Sequence, residues 1–154
     1  MENKKKTAII FVGIQASGKS TFYQERFKDY VHINLDTLHT RNKENILLQE
    51  CMEQGTSFVI DNTNPTREDR EKYICKAKAA GYMVLGYYFQ SSVSECIARN
   101  EQREGKAKVP NRAVAATHRK LELPKYDEGF DRLFYVHIKD DGFVVEDWDD
   151  EDEK

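Results

Sequence analysis

Three features of this 154-residue chain predict an α/β fold in which a parallel sheet carries helices on both faces. Short apolar runs alternate with segments whose apolar residues fall at helical spacing. A glycine-rich loop joins the first such run to the first such segment. Two aspartates, Asp36 and Asp61, directly follow the second and third apolar runs, on the edge where a sheet of this kind binds ligands. The length is that of one domain with a proper core.

The first strand is the apolar run at residues 7–12. The loop after it, Gly13, Ile14, Gln15, Ala16, Ser17, Gly18, Lys19, Ser20 and Thr21, fits the phosphate-loop pattern GxxxxGK[ST]. It also has the strand-before, helix-after context that the pattern requires. Glycines at both ends let successive amides wrap a phosphate at the positive end of a helix. Lys19 adds a charge toward the β- and γ-phosphates, and the Ser20 hydroxyl is placed for Mg²⁺. The chain is thus expected to bind a nucleoside triphosphate.

Phe22, Tyr23 and Phe27 mark the helix that follows, about 19–29, and residues 30–34 form a short second strand. Apolar positions from Leu38 to Cys51 predict one long helix over 37–54, which Gly55 is placed to end. The third strand is 57–61. Thr66 with Asp69 reads as a capping box opening a helix over 66–80, closed by Gly81. Residues 82–89 are apolar enough for a strand covered on both faces. Ser92 with Glu95 opens a helix to about 103, a polar segment 104–110 interrupts, a helix follows over 111–122, and 132–138 is the last strand.

Composition narrows the class. The net charge of −3 conceals a terminal run, residues 146–154, with seven acids and one base, which leaves 23 bases against 20 acids in residues 1–145. The run is expected to be a disordered, solubilising tail on a mildly basic domain, with Trp148 able to dock locally. Cys51, Cys75 and Cys96 make neither a disulfide framework nor a metal pattern and read as buried thiols. No apolar run is long enough to cross a membrane, and no signal peptide precedes the first strand, so a cytoplasmic protein without a membrane partner is expected.

At the ligand edge, Asp36 is either a general base that takes the proton of an acceptor hydroxyl or a helix cap. Asp61 is either an acid that organises Mg²⁺ with Ser20 or a residue shaping the turn at 62–65. Arg99 and Arg103 share a helical face, either as a lid over a triphosphate or as a solvated surface. Arg67 and Arg70, beside Glu68 and Asp69, read as ordinary surface charge. His32, His118 and His137 lie apart from any carboxylate at ligand spacing, and no catalytic role is assigned to them; His39 alone stands on the presumed active edge.

With these residues in view, the chain resembles the polynucleotide 5′-hydroxyl kinases, in particular the kinase half of the animal polynucleotide kinase/phosphatase. Residues 13–21, 30–38, 58–65, 99–103, 109–110 and 118–130 carry the likeness, which spans about 8–138. The resemblance implies a three-layer P-loop NTPase fold of the kinase type, with a five-stranded parallel sheet in the order 2-3-1-4-5. It implies ATP and Mg²⁺ as cofactors, Asp36 as general base, and Arg99 and Arg103 in a lid at about 99–110 over the ATP phosphates.

Two positions depart from the family pattern. Leu35 stands where the family has an arginine, and His39 stands where phage-type members use one to hold the acceptor's phosphate. Arg41 is two residues further on, about 200° around a continuous helix. Both departures fall on the acceptor side, where Asp36, His39 and Arg41 are the candidates. The expected acceptor is a single-stranded or frayed nucleic-acid 5′-OH end. A small alcohol such as a sugar or nucleoside, or a regulatory module that binds ATP without transfer, are the other readings.

Overall fold

The computed structural model describes residues 6–105, 108–140 and 142–148. β1 (Thr7–Val12) is buried along its whole length at the centre of the sheet. It pairs in parallel with β3 (Phe58–Ile60) on one side and β4 (Met83–Phe89) on the other. Beyond β3 lies β2 (Val31–Ile33), and beyond β4 lies β5 (Arg132–Lys139), both parallel to their neighbours. These five strands stand in the order 2-3-1-4-5.

Period-two alternation sends the β1 side chains to two cores. Ala8, Ile10 and Val12 join Leu48, Tyr73 and Ile74, from α3 (Arg41–Gln54) and α4 (Arg67–Ala79). Ile9 and Phe11 join Phe22 and Tyr23, from α1 (Lys19–Arg26), on the opposite face. A third cluster places Ile14 and Ala16 of the loop against Cys96 and Val114. Those come from α5 (Val93–Glu101) and α6 (Asn111–Lys120). Among the described residues no helix is long and apolar enough to cross a membrane.

The structure corrects several expectations. Among the described residues the sheet has six strands: β6 (Gly142–Asp147) runs antiparallel to β5 as a hairpin. The boundary expected at 146 therefore falls inside a strand. Phe143 and Val145 turn toward the α1 core, while Glu146 and Asp147 stay exposed, so the charged residues close the strand without opposing it. Trp148 is buried, its Nε1 donating to the Pro124 carbonyl at 3.0 Å and its ring edge-on to Tyr88 at 5.2 Å. The remainder of the expected tail, 149–154, lies outside the described residues.

The long helix expected over 37–54 is two helices. α2 (Leu35–Leu38) ends at His39, which takes the left-handed conformation with φ 72°, and Thr40 caps α3 by accepting from the Lys43 amide at 3.1 Å. His39 and Arg41 therefore do not share a helix, and the angular separation inferred for them does not hold. Cys75 is exposed, unlike Cys51 and Cys96. Arg70 is not surface charge: it is fully buried in a two-pronged pair with Glu128, at 2.7 and 3.0 Å. Thr66 caps α4 through the Asp69 amide as expected, whereas Ser92 stands at the start of α5 without a side-chain cap.

Candidate functional site

The loop between β1 and α1 is shaped by what its glycines leave out. A Cβ on Gly13 would stand 2.8 Å from Ser17 Oγ and 3.0 Å from Phe89 Cβ, and Gly18 holds φ +101° just before α1. Neighbouring elements fasten the loop: the Gly13 amide donates to the Thr63 carbonyl at 3.0 Å, and the Ile14 amide donates to Ser91 Oγ at 3.2 Å. Lys19 is buried and turned inward, its Nζ donating to the carbonyls of Gly13 at 3.0 Å and Ile14 at 2.8 Å. Burial lowers its pKa to about 8, against the opposing pull of the Asp61 carboxylate.

Asp61, at the end of β3, is 1% exposed and still reaches the loop. Its Oδ2 accepts from Ser20 Oγ at 2.8 Å and from His32 Nε2 at 2.7 Å. Sequence reading left His32 without a role. The usable signal is its place in the alternation: Val31 and Ile33 pack into the α3/α4 core, so His32 faces α1. The carboxylate it meets is not one of its neighbours in sequence: Asp61 arrives from the next strand.

Asp36 is held at the same edge by the turn that contains it. Asn34, not Asp36, caps α2, accepting from the Thr37 amide at 3.1 Å. Asn34 Nδ2 also donates to the Asp61 carbonyl, and the Leu35 amide donates to Asn62 Oδ1 at 3.0 Å. Asn62 in turn donates to Glu44 Oε2 at 2.9 Å, and Asn64 donates to the Phe11 carbonyl at 2.8 Å. The segment after β3 thus stitches the acid-bearing turn to the phosphate loop, and the Asp36 carboxylate is not spent on capping.

Lys19, Ser20, Asp36, Asp61 and Arg103 border a single cavity of about 250 Å³. Gln15 also faces it: its Nε2 donates to Thr117 Oγ1 at 2.9 Å, while its Oε1 is buried without a partner among the described residues. Leu35, Asn62 and Thr63 are shared with a neighbouring cavity of about 480 Å³ that carries Arg41, Lys72 and Lys120 together with Glu68 and Asp69. Lys72 and Lys120 were not singled out from the sequence, since the fold brings them to Arg41 from two other helices.

The two arginines expected to form a lid part company. Arg99 Nε donates to the Ala16 carbonyl at 2.6 Å and does not border the cavity that holds Asp36. It flanks another, of about 300 Å³, with Gly18, Thr21, Ile138 and Phe143, and Arg103 borders both. Residues 106 and 107 of the expected lid lie outside the described residues. His39 is exposed in the turn between α2 and α3.

The sheet order, the glycine loop opening α1 and the Ser20–Asp61 pair define a P-loop domain of the kinase type, built around a nucleoside triphosphate site. The chain belongs to the AAA domain family, whose model matches residues 9–124. It is 30% identical over 138 residues to the bifunctional polynucleotide phosphatase/kinase of Schizosaccharomyces pombe, a match over 85% of this chain and 33% of that protein. It is 30% identical over 152 residues to a putative bifunctional polynucleotide phosphatase/kinase of Acanthamoeba polyphaga mimivirus, covering 94% of this chain and 36% of the relative. The chain thus spans about a third of the length of these two curated relatives. Among solved structures, a gluconokinase from Sinorhizobium meliloti shares the fold, with a TM-score of 0.59, 21% identity, and coverage of 88% of this chain and 84% of that one.

Proposed function

We propose that this chain is an ATP- and Mg²⁺-dependent phosphotransferase that passes the γ-phosphate to the 5′-hydroxyl of a nucleic-acid end. The observation that carries the reading is the cavity that Lys19, Ser20, Asp61 and Asp36 line together. A loop of amides with a buried lysine receives phosphates, and a carboxylate bordering the same cavity can receive a proton. The polynucleotide kinase relatives point to nucleic acid as the acceptor.

In this reading the loop amides and Lys19 hold the β- and γ-phosphates, and the nucleoside extends toward the cavity between Arg99 and Phe143. Ser20 and Asp61 offer hard oxygens 2.8 Å apart that suit Mg²⁺, which when bound neutralises charge on the phosphates. The acceptor enters past Leu35 and Thr63. Its hydroxyl proton passes to an Asp36 oxygen, the acceptor oxygen bonds to the γ-phosphorus, and the bond to the β-phosphate oxygen breaks to release ADP. Arg103, bordering both cavities, stabilises the charge on the phosphoryl group in transit.

One observation favours a second reading. The cavity beside Asp36 balances its lysines and arginine with Glu68 and Asp69, which suits a small polar alcohol as well as one terminal nucleotide. Incubation with γ-labelled ATP and Mg²⁺ decides between the two. Label is expected on a 5′-hydroxyl oligonucleotide. Label confined to sugars or nucleosides establishes the second reading, and nucleotide binding without transfer to any acceptor rules out both.

A further inference from the structure

His32 is a polar side chain that the mechanism above leaves unused although it touches the machinery. It sits on β2 with its ring stacked on Tyr23, centroids 4.0 Å apart and planes within 17°. Tyr23 is itself tethered, its hydroxyl donating to the Tyr30 carbonyl. The stack fixes the imidazole plane, and the fixed plane aims Nε2 at Asp61 Oδ2, 2.7 Å away. An ionised carboxylate only accepts, so Nε2 carries the hydrogen.

We infer that His32 is a positioning residue: it holds the Asp61 carboxylate in the rotamer that faces Ser20 and a magnesium ion bound with ATP. The inference rests on the metal-holding part assigned to Asp61 under the proposed function. Three observations support it. Asp61 is 1% exposed, so its charge depends on donors supplied by the protein. Both donors, Ser20 Oγ and His32 Nε2, converge on one oxygen, which sets the carboxylate plane. The terminal torsion of an aspartate is otherwise soft, with no sharp rotamer wells to hold it. Removal of His32 leaves Ser20 as the single donor to that oxygen among the described residues, and Ser20 is the group expected to turn its own lone pair to the metal.

This is the outer-sphere arrangement by which a hydrogen-bonded neighbour tunes a ligating group, and loss of such a neighbour costs about 10–100-fold in metal affinity or activity. His32→Phe keeps the stack on Tyr23 and deletes the donor. His32→Gln restores an N–H near the Nε2 position. The test is titration calorimetry of ATP with and without Mg²⁺, alongside the Mg²⁺ dependence of phosphoryl transfer and a thermal melt for each variant.

The expected result is that His32→Phe binds metal-free ATP like the parent but loses about tenfold of the gain in affinity that Mg²⁺ brings, with His32→Gln recovering most of it. An unchanged Mg²⁺ gain in His32→Phe overturns the inference. So does an equal loss in the Phe and Gln variants that tracks their melting temperatures, because that pattern belongs to a purely structural histidine. A parent protein whose ATP affinity ignores Mg²⁺ overturns the metal assignment itself, an outcome separable from the other two.

Discussion

Asp36 is the residue on which the phosphotransferase reading turns, and its surroundings set what its loss should do. Because Asn34 caps α2, Asp36→Asn removes a charge without removing a cap. Transfer is expected to fall about 10²–10⁴-fold, with ATP affinity near that of the parent by calorimetry. Glu44 is a residue of the opposite kind, fully buried and structural. Burial raises its pKa, but hydrogen bonds from Tyr73 and Asn62 and the charges of Lys72 and Arg41 outweigh this and hold it below the usual carboxylate value. Its contribution is therefore complete above the unfolded carboxylate's pKa and fades as pH falls through the folded value. Glu44→Gln is expected to cost about 1–3 kcal/mol at neutral pH and to converge on the parent in acid, as read from urea midpoints.

Among the elements, the hairpin of β5 and β6 carries the clearest lesson. Trp148 fills the space between Tyr88 and Tyr135 and satisfies its indole at Pro124. Trp148→Ala is expected to cost about 3–5 kcal/mol, measured by denaturant unfolding. Such a loss makes Trp148 part of the fold and not of a disordered tail that begins at 146. The parallel core was legible because its signals are local: apolar runs such as 7–12 and 82–89, a glycine loop between strand and helix, and a Thr66 cap three residues before Asp69. β6 was not, because a dense run of acids masked the alternation of Phe143 and Val145, although an Asp-Gly pair at 141–142 is a hairpin signal. The break between α2 and α3 was hidden by a left-handed His39, a conformation that helical spacing does not report. The site divided in the same way. Loop residues and the strand-end acids are sequence features, whereas His32 beside Asp61, and Lys72 and Lys120 beside Arg41, depend on which strands and helices become neighbours.

At the scale of the whole molecule, a buried ion pair ties the ligand edge to the chain that enters β5. Arg70 of α4 grips Glu128 with two nitrogens and the Asn64 carbonyl with a third, at 2.9 Å. It therefore links the segment that positions Asp61 and Asn62 to the chain leading into β5. Glu128→Ala leaves a guanidinium uncompensated in the interior and is expected to cost about 3–5 kcal/mol, while replacing both partners with apolar residues of similar volume recovers most of the loss in a chemical-denaturation series. A second link runs from the loop to the end of the fold. The ring of Phe143 lies 3.0 Å from where a Cβ on Gly18 would stand. Through this contact a nucleotide seated on the loop is expected to steady the outermost strand, so that deuterium uptake at the amides of β6 slows when ADP or ATP is added.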